Sequence, residues 1–265
     1  MRHIFFDLDG TLTDSREGII RCLRHALAAV GRSAPGDSVL ERTIGLPLRE
    51  VLAELTGDTG NGLGDLALQA YRERYRALGM FENRIYPGVV ECLVGLQASG
   101  RSLYVVTAKV AQFAEQILVH FGIRSFFSAV YGPDLSGEAA RKAPLIRRAL
   151  SAEGLDPRQV VMVGDRAEDI EGARANGLRA IAVGWGYGSS DELTAARPDL
   201  LVEDAAGLCA ALMAGSPGGG GARAAATWSR RSRSTTRWST RSTSMASMLH
   251  SRPSTERSWR WTHTR

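Results

Sequence analysis

A rhythm of short apolar runs alternating with amphipathic stretches constrains this chain most. His3–Phe6, Leu103–Thr107, Ala129–Tyr131, Val160–Val163 and Ala180–Val183 read as strands, with a weaker one at Leu200–Val202. Helical patterns lie between the later runs, at Val89–Ala98, Ala111–Phe121, Ala143–Glu153 and Ala167–Ala175. Gly100, Gly122, Gly154 and Gly177 follow them, the residue best able to close a helix in the left-handed conformation. Strands that alternate with helices predict an α/β fold, a Rossmann-like parallel sheet with helices on both faces. Residues 14–84 break the rhythm and offer only helices. Ile19, Ile20, Leu23, Ala26, Leu27 and Val30 share one face of residues 16–30, Asp14 and Glu17 have capping-box spacing, and Gly31 ends the pattern. Further helical stretches fall near Leu48–Leu55 and Leu66–Leu78. The expectation is an all-helical cap over residues 14–85, inserted after the first strand, above a core of residues 1–13 and 86–214. Its hinges would be Leu12–Asp14 and Asn83–Pro87.

Composition excludes several classes. No stretch of about 18 apolar residues is present, so no membrane span is expected. Asp7, Asp9 and Asp14 would spoil a secretory signal core. Cys22, Cys92 and Cys209 are far apart and odd in number, which suits small buried hydrophobes in a reducing cytoplasm. The net charge of +5 is concentrated at one end: residues 216–265 carry ten arginines and one acid, Glu256, whereas residues 1–215 carry 23 basic against 27 acidic side chains. The character changes after Ala214, with Gly218–Gly221 followed by Ser, Thr, Arg and four tryptophans. Lacking any apolar period, residues 215–265 are expected to form a disordered tail without a packed core. Charge with interleaved aromatics could bind single-stranded nucleic acid, but an extension without a selected role is the stronger expectation.

The chemistry gathers at strand ends, where an open α/β sheet binds its ligand. Asp7-Leu8-Asp9-Gly10-Thr11 closes the apolar run Ile4-Phe5-Phe6. Two carboxylates there are poorly explained by packing, because an apolar sheet edge does not tolerate them without a cation. Thr107 ends the second long strand, and its hydroxyl with the N–H groups that follow, Ala108 first, suits a phosphate oxygen. A strand-ending Thr is equally a common cap. Lys142 opens a predicted helix and is one of only two lysines, with Lys109, against 31 arginines. A lysine kept under such a preference suggests a compact point charge, the alternative being a solvated helix start. Gly164-Asp165-Arg166-Ala167-Glu168-Asp169 closes another apolar run. Asp165 and Asp169, four apart, would share a helical face, and with Asp7 they make a hard oxygen set suited to Mg²⁺. A plain N-cap by Asp165 is the alternative and leaves Asp169 without a role.

An Asp-x-Asp, a Thr, a Lys and a Gly-Asp-x-x-x-Asp at successive strand ends resemble the haloacid dehalogenase superfamily of aspartate-nucleophile phosphatases, over residues 3 to about 213. The resemblance implies that Asp7 attacks phosphorus and that Asp9 serves as acid and then base. It implies that Thr107, Ala108 and Lys142 hold the phosphoryl group. Mg²⁺ would be bound by the Asp7 carboxylate, the Asp9 backbone carbonyl and Asp165, with Asp169 a ligand or behind one. Asp9 argues against a dehalogenase, and the lack of lysine between Asp14 and Arg84 against a phosphonate hydrolase with a Schiff-base lysine in its cap. Ile44–Glu50, Tyr86-Pro87-Gly88 and Gly184–Ser189 resemble the phosphoglycolate phosphatase and 5′-nucleotidase-like branch, and Asp134-Leu135-Ser136-Gly137 leans to the latter. Arg49 is the cap side chain expected to meet a substrate anion, an exposed helix arginine being the equal alternative. The implied activity is hydrolysis of a small phosphomonoester, phosphoglycolate or a nucleoside 5′-monophosphate. A catalytically silent relative that binds a phosphorylated ligand or a protein is the alternative, and a tail-driven nucleic-acid binder a further one. Oligomeric state is not legible.

Overall fold

A computed structural model describes residues 1–134 and 141–214. The predicted tail lies outside the described residues, as does most of the run Asp134–Gly137.

Six parallel strands form the central sheet: β1 (His3–Phe6), β4 (Ser102–Val106), β5 (Phe127–Tyr131), β6 (Val160–Gly164), β7 (Arg179–Val183) and β8 (Leu200–Val202). Their spatial order is β5-β4-β1-β6-β7-β8, so β1 sits between β4 and β6, with Phe6 opposite both Val105 and Val163. Side chains alternate across a strand, and here both faces are apolar. Ile4, Phe6, Leu103, Val105, Val161 and Val163 belong to one core cluster, which also contains Leu93 of α5 (Val89–Ala98), Ile117 of α6 (Ala111–His120) and Leu208 of α10 (Ala205–Ala214). Phe5, Tyr104, Val106, Val160 and Met162 belong to the other, with Ile146 of α7 (Lys142–Glu153), Ile170 of α8 (Ala167–Ala175) and Leu193 of α9 (Ser190–Ala196). A strand buried on both faces reads as a continuous apolar run, and each fully buried Phe or Ile side chain stabilises the fold by about 1.5–3 kcal/mol. The alternation continues past Phe6, so Asp7 falls on the side of Phe5, where α7 and α8 pack.

The insertion between β1 and α5 carries α1 (Arg16–Ala29), α2 (Asp37–Glu41), α3 (Leu48–Thr56) and α4 (Leu63–Arg74). Its apolar stripe from Ile19 to Leu27 is buried as the sequence predicts. Three details differ from expectation. The segment is not purely helical: β2 (Thr13–Asp14) pairs antiparallel with β3 (Arg84–Ile85), a two-residue ribbon that joins its two ends. The last helix runs Leu63–Arg74 and then widens into a π-helical turn, Tyr75–Gly79. Asp14 stands one residue before the N-cap of α1, Ser15, which makes no side-chain cap bond. The Asp14 carboxylate accepts the Arg16 N–H at 3.3 Å and is held besides by Arg84 (2.7 Å) and the Tyr187 hydroxyl (3.1 Å), which donates to it. These partners hold its carboxyl below the usual range despite burial, which works in the opposite direction.

Candidate active site

Asp7 leaves β1 with its N–H bonded to the Val163 carbonyl at 2.9 Å, so the first carboxylate is fixed by the central strand pair. Gly10 follows at φ +84°, and a Cβ there would fall onto the Asp165 carboxylate. Glycine is therefore required for the backbone to approach that close. Ligand atoms of Asp7, Asp165 and Asp169 lie within 4.8 Å of one another, all three residues buried.

Lys142 is the cation of this cluster. Its Nζ lies 3.0 Å from Asp7 Oδ1 and 2.7 Å from Asp169 Oδ1, and donates to the Val106 carbonyl at 3.0 Å. The side chain is 3% exposed, so the solvated helix start is excluded. Burial by itself would favour neutral lysine, but the two carboxylates outweigh it and raise the Lys142 pKa. Asp165 is not the helix cap. It accepts from the Thr11 hydroxyl (3.0 Å) and the Tyr187 N–H (2.8 Å). Arg166 stands at the N-cap, and Asp169 accepts its N–H at 3.1 Å, a capping role that the sequence leaves unread. Burial, reinforced by Asp169 and Asp7, pushes the Asp165 carboxyl well up. Burial also pushes Asp169 up to about 6, against the pull of Lys142. Three buried carboxylates with one ammonium thus leave an excess of negative charge, and Asp7 Oδ1 and Asp169 Oδ1 lack a well-angled hydrogen bond. The donor set is all oxygen and fits a hard divalent cation.

The Asp9 carboxylate meets the other lysine. Lys109 Nζ is 2.7 Å from Asp9 Oδ2 and donates to the Tyr75 hydroxyl at 2.8 Å. The sequence pattern offers no role for Lys109. Its rarity was the available signal, the same one that marked Lys142. Thr107 lies just past the end of β4, fully buried, its Oγ accepting the Lys109 N–H at 3.2 Å and its own N–H bonded to the Tyr131 carbonyl at 2.9 Å. Thr107 and Ala108 line a cavity of about 280 Å³ together with Asp7 and Asp9. Its walls are mainly apolar and come from the insertion, among them Leu23, Ile44, Leu68, Tyr71 and Tyr75. Arg49 also borders the cavity, but it is exposed and ion-paired with Asp65 rather than turned to the carboxylates. Arg166 reaches the insertion too, donating to the Ile44 carbonyl while pairing with Glu192 at 2.9 Å.

Comparison with known proteins agrees with this geometry. The haloacid dehalogenase-like hydrolase family matches residues 4–183. A 5′-nucleotidase of Pseudomonas aeruginosa is 43% identical over 206 residues, 78% of this chain and 93% of that protein. The tyrosine-protein kinase PtkA of Mycobacterium tuberculosis is 38% identical over 71% of this chain, which spans 64% of that protein's length. Among solved structures, a protein from Clostridium acetobutylicum described as a predicted phosphatase superposes with a TM-score of 0.76 at 34% identity, covering 80% of this chain and 98% of its own. The site carries the carboxylates, threonine and lysine that the sequence resemblance assigns to phosphoryl transfer, on the fold that these relatives share. The chain belongs to the haloacid dehalogenase-like hydrolases and is a phosphatase of that family.

Proposed function

We propose that this phosphatase is Mg²⁺-dependent and hydrolyses a nucleoside 5′-monophosphate through an aspartyl-phosphate. The observation that carries the reading is the buried carboxylate cluster of Asp7, Asp165 and Asp169, of which Asp7, with Asp9, also lines a cavity with mainly apolar walls. Asp7, fixed by β1 and neutralised in part by Lys142, is the nucleophile. Asp9 gives a proton to the leaving alcohol and then takes one from the water that cleaves the intermediate. The Thr107 hydroxyl, the Ala108 N–H and the Lys142 ammonium bind the phosphoryl oxygens, so charge that develops in the transition state meets fixed donors. Asp7, the Asp9 carbonyl and Asp165 would hold the metal. Asp169, whose oxygens already face Lys142 and the Arg166 N–H, orients that lysine behind them. Bound Mg²⁺ would supply charge neutralisation between the nucleophile and the incoming dianion.

The cavity favours one of the two substrates that the sequence left open. At about 280 Å³ it lies near the lower end of sites for drug-sized ligands, about 300–1,000 Å³. Phosphoglycolate would leave most of the apolar walls uncovered. A nucleoside fills the space and suits the aromatic wall, where Tyr71 and Tyr75 stack at 5.5 Å. The 5′-nucleotidase name of the Pseudomonas relative supports the same choice. In this reading residues 14–85 act as a cap that closes on the substrate and opens for release, bending at the β2–β3 ribbon. Residues 1–13 and 86–214 form the core. The three cysteines are free thiols, which supports a reducing, cytoplasmic setting.

Phosphate release tests the proposal, with nucleoside monophosphates, phosphoglycolate and sugar phosphates compared with and without Mg²⁺. Metal-dependent turnover with a nucleotide preferred is expected. Preference for phosphoglycolate would refute the substrate assignment, and undiminished turnover in EDTA would refute the metal.

A further inference from the structure

The two lysines of the chain divide the two aspartates of Asp7-Leu8-Asp9 between them. Lys142 faces Asp7, and Lys109 faces Asp9 at 2.7 Å with its side chain only 8% exposed. The family resemblance gives Lys142 a part in the reaction, while Lys109 has had none. Its surroundings are built rather than incidental. The Lys109 N–H donates to Thr107 Oγ1, so the residue is tied to the phosphoryl-binding turn. Its ammonium donates to the Tyr75 hydroxyl at 2.8 Å and lies 4.7 Å from the centre of that ring. Tyr75 is 2% exposed and stands on the π-helical turn of the insertion, held by Tyr71 and Phe113, each 5.5 Å away between ring centres. Such turns recur at functional sites because they re-aim a side chain that a regular helix would place elsewhere. The second Asp9 oxygen, Oδ1, is buried and has no hydrogen-bond partner.

We propose that Lys109 is the positioning residue for Asp9: it anchors one carboxylate oxygen to the Tyr75 hydroxyl of the insertion and leaves the other free for proton transfer at the leaving group. This rests on the reading of Asp9 as the acid. Lys109 itself takes no part in the proton transfer. Its contribution is orientation, and a misplacement of about 1 Å in a reacting group can cost on the order of 100-fold. Because Tyr75 belongs to the insertion, Asp9 is aligned when the insertion is closed, and closure and proton transfer are thereby linked.

Leaving-group dependence separates this role from a structural one. p-Nitrophenolate departs without a proton, whereas the ribose 5′-alkoxide of a nucleoside monophosphate needs one. We would compare kcat/KM for p-nitrophenyl phosphate and a nucleoside 5′-monophosphate in the wild type, Lys109→Met, Tyr75→Phe and Asp9→Asn, with Mg²⁺ present. Lys109→Met is expected to lose at least about tenfold more on the nucleotide than on the aryl ester. Tyr75→Phe, which removes only a hydroxyl, should show the same bias at smaller size, and Lys109→Arg should restore part of the loss. Equal losses on both esters in Lys109→Met, beside a clear bias in Asp9→Asn, would overturn the inference and leave the acid assignment standing. An Asp9→Asn enzyme with equal losses would overturn the acid assignment itself, and this inference with it.

Discussion

Replacing Lys142 by methionine tests the electrostatics of the site without reference to turnover. Methionine keeps most of the volume of the stem and removes the ammonium that lies 3.0 Å from Asp7 and 2.7 Å from Asp169. Asp7, Asp165 and Asp169 then share a buried space with no cation. Loss of one partner from a buried ion pair costs about 3–5 kcal/mol, against a total stability of about 5–15 kcal/mol. With an m-value of about 2–3 kcal/mol per M, the urea midpoint should fall by about 1–2 M in EDTA at pH 8. The pH dependence has a definite sign. Asp169 is already pushed up to about 6 with Lys142 in place, and it goes higher without it. A carboxyl raised in the folded state weakens the fold above its folded pKa, and that penalty is gone below its unfolded value. The gap between variant and wild type is therefore widest at pH 8 and narrows towards pH 5, where a proton on Asp169 replaces the lost charge. Urea titrations at pH 8 and pH 5 measure both terms. A variant as stable as wild type at pH 8, or a gap that widens in acid, would refute this account of the cluster.

Asp7→Asn should abolish phosphate release and leave the circular dichroism unchanged. In EDTA it should melt no lower than wild type, since it removes one of three crowded charges; residual turnover at wild-type rates would end the covalent mechanism. Mg²⁺ should raise the melting temperature of the wild type, by an amount equivalent to about 2.7 kcal/mol at a hundredfold excess over its Kd, whereas Asp165→Asn should blunt that rise, as calorimetry would show. Gly186→Ala places a methyl group on the Asp165 side chain, so a loss of about 1–3 kcal/mol in a urea melt is expected with impaired turnover. A chain ending at Gly215 should match the full-length protein in kcat/KM, and any nucleic-acid retention by the full chain that falls steeply with salt should vanish with the tail.

The parallel strands were legible because burial on both faces writes an uninterrupted apolar run, as at Val160–Val163 between two cores. Asp7, Asp165 and Lys142 were legible because a carboxylate at a strand end, or a rare lysine, has no packing rationale. What escaped is set by partners distant in sequence. The β2–β3 ribbon has two residues per strand, too few for any period, and it is fastened by Arg84 and Asp14, 70 residues apart. The capping-box spacing of Asp14 and Glu17 signalled the helix start, where Asp14 accepts the Arg16 N–H, but not its distant partners Arg84 and Tyr187. The five-residue helix Asp37–Glu41 buries only Leu40, so it shows no stripe. Lys109 carried the same compositional mark as Lys142, but nothing along the chain announces that it meets Asp9 and Tyr75. The pairing of Arg49 with Asp65 was not legible because Asp65 lies on the next helix.

Tyr187 touches the molecule at two ends of one residue. Its N–H steadies Asp165 in the carboxylate cluster, and its hydroxyl holds Asp14 in the ribbon where the insertion joins. Its neighbour Trp185 fastens the same loop to the Thr11 carbonyl, and Thr11 in turn grips Asp165. A rigid strut of this kind transmits load. In the proposed closure, rotation of the insertion about its ribbon would pull on the residue that sets the geometry of the carboxylates. Each change there is read out at the carboxylates, and substitutions at position 187 should trade range of motion against the precision of the cluster.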